Sequence, residues 1–218
     1  GKIQNHPNTI ELPFSYLIAS GDTTYIVPGR NIATVGTYRD INKWPKRDKR
    51  ASASKKSIVN FSWLSPFTMQ EVIKGKELLE RLRKEQGDNV ASYNYNGCLI
   101  KNKSLQKGIK FYELAIRMFM GDVVSRHGST LPESSIGTGC WTDLSGLLAP
   151  VEIVEELCDD LGKEYFDTIV EVEDRLQAMH KAYDEYCWNW TYKVILDYLG
   201  IDMLSATDVN RIMAEADA

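Results

Sequence analysis

Residues 167–199 read DTIVEVEDRLQAMHKAYDEYCWNWTYKVILDYL, and their spacing decides the fold class. Val172, Leu176, Met179, Tyr183, Tyr186 and Trp190 recur at intervals of 4, 3, 4, 3 and 4 residues. Side chains three and four apart share one face of an α-helix, so these form an a/d-like apolar seam. The pattern predicts one long helix reaching from about Asp167 to Leu199. Its aromatic-rich face suits packing in a helical bundle or against a partner chain.

Helical patterning already begins at Ser65. Ser65-Pro66 reads as an N-cap followed by proline at the first helical position, where the missing N–H costs nothing. Thr68 and Glu71 offer an alternative capping box. Met69, Val72, Ile73, Leu79 and Leu82 then line one face up to Gly87. A second helix is predicted from Ser104 to about Arg126, carried by Leu105, Ile109, Tyr112, Ile116, Phe119 and Val123. A short helix follows Pro150 and ends near Gly162. A last amphipathic helix starts at Ser205, with Val209, Ile212 and Met213 inward.

The N-terminal third has a different texture. LPFSYLIAS (12–20) and TTYIVPG (23–29) are β-branched and aromatic, and Gly21-Asp22 between them supplies turn chemistry. NIATVGTY (31–38) is read as a third extended piece, and ASASKK (51–56) as a loop. YNYNGCLI (93–100) predicts a short hairpin turning at Asn96-Gly97. HGSTLPESSIGTGCWTD (127–143) is the longest irregular stretch. The fold class expected is α+β, mostly α with a small N-terminal β element and a bundle-like helical body. Residues 1–64 form the extended segment with a basic strap and 65–218 the helical domain, packing together as one compact unit.

Composition bounds the function. The 218 residues suffice for a sizeable core, and 43% hydrophobic with 26% charged content is that of an ordinary soluble domain. No apolar run approaches the length that spans a bilayer, and no charged-then-apolar leader opens the chain, so a cytoplasmic protein without a membrane partner is expected. Cys98, Cys140, Cys158 and Cys187 lie 42, 18 and 29 residues apart with no CxxC pair. They are read as buried free thiols rather than as disulfides or zinc ligands. His6, His127 and His180 are dispersed, so neither a metal site nor a cofactor is expected. His127 ends a helix, where a protonated imidazole favours the negative dipole end. His180 is read as a partly buried seam residue that could approach Cys187.

The densest charge lies in GTYRDINKWPKRDKR (36–50). Between Arg39 and Lys56 there are eight bases and two acids, a local +6 in a chain of net charge −4. Arg39, Lys46, Arg47 and Arg50 are candidate anion ligands, because guanidinium and ammonium groups are permanent donors to phosphate. Trp44 is the candidate stacking platform for a base or sugar ring, with Tyr38 beside it. A structural reading stands next to this one. Residues 152–185 hold twelve acids against three bases, a −9 stretch that the basic strap could neutralise. Arg39-Asp40 and Arg47-Asp48 also favour local pairing. The pI near 5.5 argues against a dedicated nucleic-acid binder.

GTGCWTDLSG (137–146) is the second candidate. Its glycines permit close backbone approach to an anion, Asp143 could bind a sugar hydroxyl or serve as a catalytic base, and Cys140 could be a nucleophile. It matches neither a dinucleotide fingerprint nor a P-loop, and a tight buried turn is the competing reading.

LPFSYLI, TYIVPGRN, VGTYRDINKWPKRDKR, GIKFYELAI and WTDLSGLLAP as a set resemble the C-terminal region of a family of long, uncharacterised proteins found mainly in Bacteroidetes. The resemblance implies an N-terminal left-handed parallel β-helix of the hexapeptide-repeat type, a fold shared with trimeric acyltransferases and domains of sugar nucleotidyltransferases. This chain shows no hexapeptide repeat of its own. The resemblance therefore implies an accessory helical domain of a transferase-like protein, packing on that β-helix or on a neighbouring subunit. A phosphorylated sugar or nucleotide-sugar is the implied ligand. A purely structural or homo-oligomerising module is the alternative, and nucleic-acid binding through the basic stretch a third.

Overall fold

Gly21 and Asp22 separate two five-residue runs of strand-forming side chains, and the chain reverses there. Strand β1 (Tyr16–Ser20) pairs antiparallel with β2 (Thr23–Val27), from Tyr16 opposite Val27 to Ser20 opposite Thr23. A second hairpin joins β3 (Ser92–Tyr95) to β4 (Cys98–Lys101) through Asn96 and Gly97, whose φ angles of 48° and 75° are both left-handed. Asparagine and glycine tolerate that conformation best, which is why Asn-Gly makes this turn. Strand β4 lies parallel to β2, giving a four-stranded sheet in the order β1-β2-β4-β3. The computed structural model describes residues 10–47 and 58–217. They fall into two compact units. The first takes the described residues up to Trp44 together with Thr68–Arg117, and the second takes those from Pro45 to Phe67 and from Met118 onward.

The third extended piece expected over residues 31–38 is instead a 3-10 turn, Arg30–Ala33, followed by helix α1 (Val35–Lys43). Local bonds decide this. Thr34 alone is extended, its Oγ1 donates to the Arg30 carbonyl at 2.9 Å, and its own carbonyl accepts the Thr37 N–H at 3.0 Å. The polar residues that follow offer no apolar face for a sheet, and α1 buries no residue completely.

Helix α2 (Pro66–Gln86) starts at the proline that the sequence marks. Met69, Val72, Leu79 and Leu82 are buried as expected, joined by Leu78, while Ile73 is half-buried. Helix α3 (Asn102–His127) contributes its first part to the first unit and, from Met118, its remainder to the second. Gly108 on α3 sets the packing distance in the first unit. A Cβ there would lie 2.7 Å from Pro28 Cβ and 3.0 Å from Leu79 Cδ1. The fully buried Tyr112, one turn further on, anchors this core.

The second unit holds strands β5 (Trp141–Leu144) and β6 (Leu147–Pro150), an antiparallel hairpin turning at Ser145 and Gly146. The irregular stretch is therefore shorter than expected, because Trp141 is buried and begins a strand. Residues before α2 complete this hairpin. The Asn60 N–H donates to the Gly146 carbonyl at 2.8 Å, and the Asn60 side-chain oxygen accepts the Leu148 N–H at 3.0 Å.

Helices α4 (Val151–Gly162), α5 (Ile169–Lys181), α6 (Tyr183–Leu199) and α7 (Ala206–Ala216) follow. The single helix predicted from Asp167 to Leu199 is thus two. Ala182 stays in the right-handed region, but its ψ of −1° makes a turn between the two helices, and its N–H is shared between the carbonyls of Ala178 and His180. The seam is also used differently from a partner-facing stripe. Met179 joins Leu147, Ile153 and Leu157 in a buried cluster, with Val172, Leu176 and Tyr186 packed against it. On α6 the six residues from Cys187 to Tyr192 are all buried, so the middle of that helix is covered on every side. Ile212 is buried on α7, but Met213 is 39% exposed, because one residue turns about 100° around a helix. The same geometry exposes Cys158 beside buried Leu157. Cys140, in the loop before β5, is exposed as well, so only Cys98 and Cys187 are the buried thiols expected. The protein is mostly α-helical with a small β component. No described helix is long and apolar enough to cross a membrane.

Candidate functional site

Helix α1 and the residues after it carry the first candidate. Arg39 and Lys43 sit one turn apart on α1, so their side chains share a face. Trp44 caps the helix, its N–H donating to the Asp40 carbonyl, and the 3-10 turn Pro45–Arg47 follows. Arg39, Lys43, Trp44, Lys46 and Arg47 are all exposed, Trp44 at 62%. The Arg39 Nε donates to Asp40 Oδ1 at 3.1 Å, the local pairing that the Arg-Asp step implies. The division between the two units falls at Trp44 and Pro45, inside this stretch. Arg50 lies outside the described residues, as do Asp48, Lys49 and the predicted loop 51–56.

The acidic helices hold bases of their own. Glu156 pairs with Arg175 at 3.5 Å, Asp159 with Lys163 at 3.7 Å, and Asp184 with Arg126. His127, at the end of α3, stacks flat on Trp188 with ring centroids 4.8 Å apart. Its Nε2 lies 3.2 Å from Asp184 Oδ2 without the alignment of a hydrogen bond. Burial, and then the neighbouring Arg126 charge, hold this imidazole below its usual pKa. The protonated helix-end imidazole expected from the sequence is therefore disfavoured.

The 137–146 loop binds carboxylates, and they are the protein's own. The Gly137 N–H donates to Glu152 Oε1, and the Gly146 N–H to Asp143 Oδ1. Asp143 is exposed on β5, its carboxylate closing the hairpin turn. Gly137, with φ of 88°, packs against Tyr186, where a Cβ would come within 3.0 Å of that side chain and its carbonyl. No other residue suits that combination of left-handed backbone and close approach. Trp141 Nε1 donates to the Gly137 carbonyl at 2.8 Å, and the Asn189 amide donates to Ser134 Oγ at 3.0 Å and to the Ile136 carbonyl at 2.9 Å. These bonds order a loop whose composition alone reads as irregular.

Ile136, just before that loop, belongs to a cleft that sequence reasoning missed. Ile136, Ile153, Glu156, Arg175, Met179 and Tyr186 line about 310 Å³ beside the break between α5 and α6. Ala178 and Ala182, at helical spacing, complete the lining, and their small side chains leave the space open. The one signal available beforehand was this pair of alanines beside the apolar seam. The Arg175–Glu156 pairing joins two helices and has no signature in sequence.

Residues 1–83 match a domain of unknown function, DUF4954, and residues 125–216 match another, DUF6819. The second match lies wholly within the second compact unit. No curated protein and no solved structure matches the chain.

Proposed function

We propose that this chain is an accessory helical domain of a transferase-like, hexapeptide-repeat protein, and that residues 39–47 help to hold a phosphorylated sugar or nucleotide-sugar. The observation that carries this reading is the exposed indole of Trp44 amid exposed bases. An exposed aromatic residue among cations combines the chemistry that stacks on a ring with the chemistry that pairs with a phosphate. The C-terminal end of α1 opposes anions with a dipole of about half a charge. Arg39, Lys43, Lys46 and Arg47 carry four full charges in the same stretch, reduced by Asp40, so the balance favours an anion. Arg50 extends the basic run in sequence. Asp143 has a structural use in its turn and takes no part in this reading.

A thermal-shift panel of nucleotide-sugars and sugar phosphates tests it. A ligand at a hundred times its Kd stabilises by about 2.7 kcal/mol. Trp44→Ala and the Lys46→Ala, Arg47→Ala double variant should retain the unliganded melting temperature and lose the ligand-induced shift. No stabilisation by any member of the panel would sink the reading.

A structural or oligomerising module is the second reading, and a specific observation favours it. At the α4–α5 connection Tyr165 and Ile169 are 69% and 71% exposed, with Leu161 and Val170 exposed beside them in sequence. Sedimentation velocity of Tyr165→Ser, Ile169→Asp protein checks this: a self-associating chain should shift to monomer.

A further inference from the structure

We propose that the cleft at the α5–α6 break binds a free α-amino acid with an apolar side chain. Size is the first argument. Ligand sites run from about 300 to about 1,000 Å³, and this cleft, at about 310 Å³, lies at the small end of that range, where a molecule of amino-acid size fits. Its lining shares no residue with the anion site on residues 39–47.

Charge is the second argument. Arg175 Nη2 stands 3.5 Å from Glu156 Oε2, longer than the roughly 2.7–2.9 Å of a well-made charge-assisted bond. Their side chains remain 42% and 61% exposed, and so open a pair gives little stability by itself. A zwitterion inserted there gives Arg175 a carboxylate and Glu156 an ammonium group. A lone anion would face the Glu156 charge, and a lone cation the Arg175 charge. Matched opposite charges at the mouth of one small cleft select a molecule that carries both.

The lining supplies the remainder. Ile136, Ile153, Met179 and the ring of Tyr186 offer apolar surface to a side chain. The wall is built before any ligand arrives, because Asn189 holds the Ile136 carbonyl and Gly137 is wedged against Tyr186. Binding to a preorganised wall loses little conformational entropy.

Isothermal titration calorimetry of the whole chain with L-phenylalanine, L-leucine, phenylacetate and phenethylamine tests the proposal. One or both amino acids should bind. For phenylalanine, each half-molecule should bind at least about tenfold more weakly, the worth of one charged hydrogen bond. Glu156→Gln should weaken L-phenylalanine and strengthen phenylacetate, and Arg175→Gln should weaken both. Both sites are exposed, so these variants should fold. Ala182→Leu should fill the cleft and abolish binding of every probe; if it fails to fold, the two polar variants decide. Absence of binding by both amino acids at millimolar concentration overturns the proposal. So does equal affinity for the half-molecules, or unchanged binding in the folded Ala182→Leu protein. Trp44→Ala should leave amino-acid binding intact, which keeps this outcome distinct from that of the anion site.

Discussion

The hydroxyl of Tyr112 is buried on α3 and donates to the Pro13 carbonyl at 2.7 Å. The Pro13 carbonyl is only partly buried and can recover some solvation when it loses this donor, so Tyr112→Phe should destabilise the protein by about 1 kcal/mol in urea titrations. Cys187 illustrates a different consequence of burial. Removal from water, the largest cause, raises its thiol from 9.0 to about 11. The neutral thiol is thus favoured in the folded state. Its contribution to stability is complete below pH 9.0 and is lost as pH rises toward about 11. Cys187→Ala should flatten that part of the stability–pH curve, as followed by urea denaturation at stepped pH. Exposed Cys140 and Cys158 experience no comparable burial.

Among the elements, α7 depends most visibly on a single glycine. Gly121 lies within α3, where alanine is ordinarily the better helix former by about 1 kcal/mol. A Cβ at this position would overlap the side chain of Ala216 on α7. Gly121→Ala should therefore reverse the propensity gain and loosen α7. Faster amide exchange confined to residues 206–216 is the expected signature. Helix starts, in contrast, need no knowledge of packing. Proline at the first position of α2 and Ser205 before α7 are local chemistry, and Ser205 does cap its helix, reciprocally bonded with Asp208. The break at Ala182 was hidden because alanine favours helix, and the apolar spacing continues across it unbroken.

Over the whole molecule, sequence order and compact units do not coincide. The second unit takes residues 45–67 as well as everything from Met118 onward. Asn60 supplies two hydrogen bonds to the β5–β6 hairpin, Val59 packs on Gly146, and Ile58 packs on the Leu147–Met179 cluster. A fragment beginning at Met118 lacks all three. It should melt well below the intact chain, or fail to show a cooperative transition in calorimetry, although it contains the entire DUF6819 match.

By itself the sequence determined the fold class, two of the three hairpins and most helix boundaries. Those features follow from neighbours within a few residues, through turn chemistry, capping and the periodicity of apolar side chains. It also marked Trp44 beside Arg39, Lys46 and Arg47 as a candidate anion site. Only the structure showed the helix at α1, held by local bonds that compete with an extended reading, the splitting of the long helix, the Glu152 carboxylate on the Gly137 amide, and the cleft between Arg175 and Glu156. The pairing of Gly137 with Glu152 and the cleft depend on residues distant in sequence or on space that small side chains leave unfilled, and a one-dimensional pattern records neither.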